Sequence, residues 1–190
     1  FRGRLAGGVG PRLDAELARA DSSPVDLEVL LNGLVEISRQ ISSKKKTVTI
    51  DYVADHKPGF KTSYVVNGHD LRLGQIVTNL IENARSFVSQ DGGRIFVHLL
   101  RHKDRCLVRV EDNGPGIQAE DIDRIFERFY TDRPASEGFG QNSGLGLSIS
   151  RQIAEAHGGT LKAENIIDKY GVISGARFTL SLPAAHTHER

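Results

Sequence analysis

The sequence predicts an α/β, two-layer sandwich in which one mixed, largely antiparallel sheet of about five strands is covered on one face by three helices. Three observations carry this. Several short segments alternate apolar and polar residues with period two and are rich in β-branched side chains, as half-buried strands are. Longer segments between them repeat apolar residues at helical spacing on one face. The length, 190 residues, suits one ordinary domain with a single core and some linker.

In chain order, the first eleven residues, FRGRLAGGVGP, are too rich in glycine and proline for a continuous helix and read as linker. Residues 12–24 form a short polar helix that breaks at Ser22, Ser23 and Pro24. Residues 1–23 are thus expected to be linker or the remnant of another helix, 24–184 the domain, and 185–190 a flexible tail. Asp26 caps the next helix, whose apolar face is Leu27, Leu30, Leu31, Leu34, Val35 and Ile37. Lys44, Lys45 and Lys46 make a solvated turn before the strand TVTIDYV. KTSYVVNG is a second strand, and His69-Asp70 opens a long helix from Leu71 to Val88. Its buried stripe is Leu73, Ile76, Val77, Leu80, Ile81 and Ala84. RIFVHLL and CLVRVED are strands joined by a charged turn at Lys103-Asp104. A long loop rich in glycine, proline and charge follows Gly114, with a helical patch at IDRIFERFY; a loop of this length points to function. A helix from Leu145 to His157 stops at Gly158-Gly159, with His157 at the negative end of its dipole. TLKAEN and ARFTLSLP complete the sheet.

Composition removes several classes of function. Lys and Arg number 25 against 24 Asp and Glu, so no bulk field favours nucleic acid or an anionic surface. Cys106 is the one cysteine, which excludes an internal disulfide and a multi-cysteine zinc site and reads as a small buried strand residue. No apolar run of about 18 residues occurs, so the chain as given is expected not to be membrane-embedded. A phosphate loop of the GxxxxGK[ST] type and an HExxH pair are absent, and Gly114 and Gly116 lack the third glycine of a dinucleotide fingerprint.

Four blocks carry chemistry. Asn79 and Asn83 stand one helical turn apart, so their amide oxygens share a face and could ligate magnesium; ordinary surface amides are the competing reading. Asp112 ends a strand directly before Asn113-Gly114-Pro115-Gly116. A buried carboxylate there could accept from an exocyclic amine while the glycines admit close approach, although such a sequence also makes a common turn. Gly144, Leu145, Gly146 and Leu147 begin a helix, where free N–H groups and the dipole favour phosphate; close helix packing is the alternative use of those glycines. Phe126 to Tyr130 offers aromatic anchors for a lid.

In order and separation these blocks resemble the GHKL (Bergerat-type) ATPases, and among them the ATP-binding catalytic domains of bacterial sensor histidine kinases. Asn79 to Ala84 looks like the N box, Asp112 to Gly116 the first glycine box, Phe126 to Tyr130 the F box, and Gly144 to Leu147 the second glycine box. Gly175 to Phe178 and Leu182-Pro183 resemble the closing strand. RLDAELARADSSPVDL, ENARSF, FYTDRP and FGQNSGLGLSIS look like ChvG-type kinases of alphaproteobacteria, the group that includes BvrS and ExoS.

The resemblance implies ATP and magnesium as cofactors, ADP as product, and a long ATP lid between Gly116 and Gly144. It implies that Asn83 ligates magnesium with Asn79 in support, that Asp112 reads the adenine amine, and that Phe87 packs on the base. Gly114, Gly116 and Ile117 would shape the base pocket, Gly144 to Leu147 would offer backbone to the phosphates, and Tyr130 would line the nucleotide. Arg128 and Arg133 are candidate partners of the γ-phosphate. Ser86 stands where the commoner N box has a basic residue, which makes Arg85 the natural substitute. No histidine here has the phosphoacceptor setting, so the nucleophile is expected from a separate dimerisation module and no catalytic residue is assigned; Glu82 reads as a solvated carboxylate. A response regulator receiver domain is the implied downstream partner, and a cytoplasmic position on an inner-membrane kinase the implied location. The alternatives are a nucleotide-binding interaction module without turnover, or a serine kinase or ATPase of the same superfamily.

Overall fold

The computed structural model describes residues 22–42, 48–56, 62–130 and 144–185. The expected helix before residue 22, the lysine turn at 44–46, Arg133 and tail residues 186–190 lie outside the described residues.

Ser23 and Pro24, expected only to break a helix, instead open strand β1, Ser23–Asp26. It pairs antiparallel with β3, Val65–Gly68, as a two-stranded ribbon outside the main sheet. The segment KTSYVVNG therefore contributes four strand residues to this ribbon and none to the five-stranded sheet.

Helix α1, Leu27–Ser42, starts as its cap predicts: Asp26 Oδ1 accepts from the N–H groups of Glu28 and Val29 at 2.9 and 3.3 Å. Leu27, Leu31 and Val35 are buried, with Leu30 and Leu34 packed partly against them. Ile37 is 57% exposed and does not belong to that face. Ser38, four residues after Leu34 and seven after Leu31, takes the central position, and Ile37 falls on the flank.

The main sheet has the order β2-β4-β5-β7-β6, with β2 spanning Thr49–Ala54, β4 Arg94–His102, β5 Arg105–Asp112, β6 Thr160–Ile167 and β7 Ile173–Pro183. The chain leaves β2 and returns to β4 through helix α2, Asp70–Phe87, so this pair is parallel, as a crossover requires. The other pairs are antiparallel. The β4–β5 hairpin turns at Lys103-Asp104, with Lys103 at φ 52°. Alternate residues of the strands, among them Ile95, Val97, Leu99, Cys106, Val108, Val110, Phe178 and Leu180, point into the core under the helices. On the opposite face Arg177 of β7 bridges Glu111 at 2.6 Å and Glu164 at 3.1 Å, which gives that face its polar character.

All six residues of the α2 stripe are buried. Helix α3, Gly146–Ala156, packs beside α2 and ends at Gly158, φ 67°. His157 at this terminus is a neutral bridge instead of a charge on the dipole. Its Nδ1 lies 2.7 Å from the carbonyl of Ile153, and its Nε2 accepts from the backbone N–H of His69 at 3.2 Å. It thereby ties the end of α3 to the start of α2. Burial pushes its pKa below the ordinary 6.5, and nearby His69 adds to this, against the Ile153 carbonyl. A lowered folded-state pKa means that the unfolded chain takes up the proton first, so stability is complete above about pH 6.5 and declines as the pH falls toward the folded value. Thermal unfolding should therefore lose stability on acidification, and His157→Gln, which does not titrate, should flatten that dependence between pH 7 and 5.

Candidate functional site

Helix α2 is the spine of the site. Near its middle, Asn79 Nδ2 donates to the carbonyl of Gly146 at 3.3 Å and to Ser150 Oγ at 3.1 Å, so the asparagine holds the first turn of α3 against α2. With Nδ2 engaged, Oδ1 is the side-chain atom with lone pairs left for a metal. Asn83 follows one turn later, half-buried, and no hydrogen bond engages its side chain among the described residues. At the C-terminal end of α2, the Phe87 carbonyl lies 3.2 Å from where a Cβ on Gly114 would stand. The helix thus touches the second glycine block at Asn79 and the first at Phe87. Eight residues separate the two contacts, about 12 Å of helix.

Asp112 ends β5 with 5% of its surface exposed. Burial raises its pKa, opposed by hydrogen bonds from the N–H groups of Gly114 and Ala176; the Gly114 bond is 2.8 Å. A carboxylate offers about four lone-pair sites, so two such bonds leave room for a ligand amine. A side chain on Gly114 would press to 2.9 Å from Asp112 Oδ1. Gly116, at φ 78°, has Ile173 and Asn165 where its Cβ would be, at 2.3 and 2.8 Å. The floor of this loop is therefore built for glycine.

At the other end, Gly144 has φ 66°, and its carbonyl accepts from the N–H of Phe129 at 2.9 Å, which ties the F box to the second glycine block. Leu145 and Gly146 open α3 without a side-chain cap. The N–H groups of its first turn therefore have no acceptor within the helix, which is the chemistry an anion requires. Leu147 is half-buried and packs on the core. The patch IDRIFERFY begins with a short 3-10 turn, Ile122–Phe126, whose Phe126 is buried against Phe178. Phe129 and Arg128 are exposed, and Tyr130 is half-buried, with the Arg124 guanidinium 5.5 Å from its ring.

The expectation for Arg85 is corrected. It is buried and points toward α1, donating to the carbonyl of Ser38 at 2.9 Å and pairing with Glu82. Two positions beyond Asn83 on a helix is the far side of the cylinder, so a residue there does not share the asparagine face.

Four contributors escaped the sequence reading. Asn113 accepts from the N–H of Arg94 at 2.7 Å and donates to the carbonyl of Gly92 at 3.1 Å, fixing the loop to the start of β4. Asn165 on β6 binds both the N–H and the carbonyl of Ile117. Arg151 of α3 lies over the Phe126 ring at 3.7 Å and pairs with Asp123 at 2.8 Å, anchoring the 3-10 turn. Gly175 lets β7 run against Asp112. Of these, only the glycine and Asn113 stood inside quoted motifs; Asn165 and Arg151 act across the fold and leave no local signature.

A spine helix with two facing asparagines, a buried carboxylate above a glycine floor and an uncapped helix start together define a nucleotide-binding ATPase site. Residues 68–186 match the family of histidine kinase-, DNA gyrase B- and HSP90-like ATPases, and the chain belongs to it. Within the family it is similar to the sensor protein ChvG of Agrobacterium fabrum, 85% identical over 179 residues, and to ChvG of Rhizobium meliloti, 72% identical over 173. These alignments cover 94% and 91% of this chain but 30% of each relative, so the chain spans under a third of their length. Among solved structures, the mycobacterial sensor histidine kinase MprB matches with TM-score 0.70 and 26% identity, over 87% of this chain and 99% of that one. Full-length ShkA in complex with AMPPNP matches with TM-score 0.69 and 26% identity, over 94% of this chain and 35% of that one.

Proposed function

We propose that this chain binds Mg-ATP and donates the γ-phosphate to a histidine on a separate dimerisation module, as the catalytic domain of a two-component sensor kinase. The observation that carries this is the joint placement, along α2, of Asn79 and Asn83 with the start of α3 at one end and the Asp112 loop at the other.

In this reading the Asp112 carboxylate accepts from the adenine amine, Phe87 and Ile117 border the base, and the backbone of Gly144 to Leu147 meets the phosphates. Asn83, with Asn79 beside it, would hold Mg2+, which supplies positive charge to the phosphate oxygens. Arg128, Tyr130 and Arg133 would come from the lid. The chain contributes position and electrostatics, while the acceptor imidazole forms the N–P bond as the bond to ADP breaks. The fold likeness to ShkA, a structure in complex with AMPPNP, and the high identity to sensor proteins support the same reading. The whole protein would then pass phosphate to a response regulator receiver domain, with this domain on the cytoplasmic side of an inner membrane that anchors the rest. Among the described residues, no helix is long and apolar enough to cross a membrane.

The test is transfer of γ-32P label from ATP to a purified dimerisation module of the same kinase, with and without magnesium. Acid-labile, alkali-stable label on the module, dependent on Mg2+ and abolished by Asn83→Ala, is expected. Binding of ATP without transfer would instead assign a regulatory nucleotide module, and label on serine another member of the superfamily.

A further inference from the structure

The first glycine loop leaves β5 at Asp112 and is fastened at its near end by the Asn113 side chain. Its far end is fastened by a residue of β6, two strands away. Asn165 Oδ1 accepts from the N–H of Ile117 at 2.7 Å, and Asn165 Nδ2 donates to the carbonyl of the same residue at 3.0 Å. The side-chain amide thus replaces a neighbouring strand's peptide group, satisfying both polar backbone groups of Ile117 at once. The register explains why this position meets the loop: Asp112 pairs with Ala176 on β7, and Ala176 pairs with Asn165 on β6, so the three lie in one row across the sheet. Gly116, between the two fastened ends, lies against the same amide, since a Cβ there would be 2.8 Å from Asn165 Oδ1.

We propose that Asn165 is a positioning residue for adenine-nucleotide binding, holding Ile117, and through it the loop that follows Asp112, in the conformation that receives the base. The inference rests on the nucleotide-binding reading of this site. The residue type is specific. Aspartate has no donor for the Ile117 carbonyl and would set a charge against it, and serine is too short to span both groups. Alanine leaves both backbone groups to water.

The experiment compares the whole chain with Asn165→Ala and Asn165→Asp, in two measurements. Backbone amide exchange at Ile117, followed by NMR without nucleotide, reports the clamp alone. It should accelerate by about tenfold or more in Asn165→Ala at neutral pH, while Asn165→Asp, which keeps an acceptor for that N–H, should stay closer to wild type, and core amides such as that of Val108 keep wild-type protection. Calorimetric affinity for Mg-ATP should fall by about tenfold, in Asn165→Ala from two lost neutral hydrogen bonds partly replaced by water, and in Asn165→Asp from the lost donor and the charge set against the Ile117 carbonyl. As the pH is lowered, the carboxyl introduced by Asn165→Asp regains a proton and with it a donor, so its affinity relative to wild type should recover. The ratio for Asn165→Ala should stay flat, a contrast that a merely structural role would not produce. Unchanged Ile117 exchange in Asn165→Ala, or unchanged affinity in both variants with that exchange accelerated, would overturn the proposal. Wild-type protein that binds no ATP would sink the nucleotide reading, and the positioning role with it; accelerated Ile117 exchange would then still show the clamp itself to be real. Should Asn165→Ala lose protection throughout the core, Asn165→Asp at low and neutral pH carries the test.

Discussion

Among the described glycines, Gly175→Ala should be the most damaging added methyl. A Cβ on Gly175 would stand 1.8 Å from the carbonyl oxygen of Asp112 and 3.0 Å from its carbonyl carbon. Both atoms are backbone, so no rotamer change relieves the clash, and β5 and β7 must separate where Asp112 leaves the sheet. Overpacking of a well-filled core costs about 1–3 kcal/mol, and a backbone collision belongs at or above the upper end of that range. A loss of about 3 kcal/mol corresponds to roughly 6–12 °C in melting temperature for a domain of this size. Differential scanning calorimetry should show that drop together with loss of nucleotide binding. Gly33→Ala is the control: nothing lies within 4 Å of its added methyl, and alanine in the α1 interior should stabilise by about 0.5–1 kcal/mol.

Asp112→Asn should separate binding from stability. The carboxylate is buried and its pKa is pushed up, chiefly by desolvation, so the fold holds a charge it does not favour. A raised folded-state pKa means that this charge weakens the native state at neutral pH, and that the penalty is relieved as the pH falls through the folded value. Asparagine keeps an oxygen to accept from Gly114 and removes the charge. The variant should therefore melt no lower than wild type at pH 7. Its nucleotide affinity should fall by about 10- to 100-fold, the equivalent of a charge-assisted hydrogen bond of about 1.5–3 kcal/mol. A functional residue that costs stability in the free protein is expected at a binding site; a purely structural Asp112 would instead show lower stability with unaltered affinity.

Local patterns made most of the architecture legible before the structure. Helical spacing identified the α2 stripe residue by residue, and alternation identified β4, β5 and the ends of β6 and β7, because burial on one face imposes a period on the chain. The four blocks of the candidate site were likewise local. What escaped was decided by contacts between distant segments. β1 and the shortened β3 pair with each other outside the main sheet, and nothing in SPVD announces a partner forty residues away. Ile37 falls on the flank of α1 because Ser38 continues the Leu31–Leu34 spacing, and the Ser38 carbonyl in turn receives Arg85, a bond spanning 47 positions. The same bond explains why Arg85 turned from the asparagines. Asn165 lies 48 positions from Ile117, and an asparagine near the end of a strand looks like any other polar residue until the row across the sheet is known.

Whether the face along α2 binds adenine nucleotide is decided by isothermal titration of the chain with ATP and, in parallel, GTP at saturating magnesium. Saturable binding of ATP, with GTP at least about tenfold weaker for want of an amine facing Asp112, is the predicted result. No heat of binding with either nucleotide, or equal affinity for both, would contradict it.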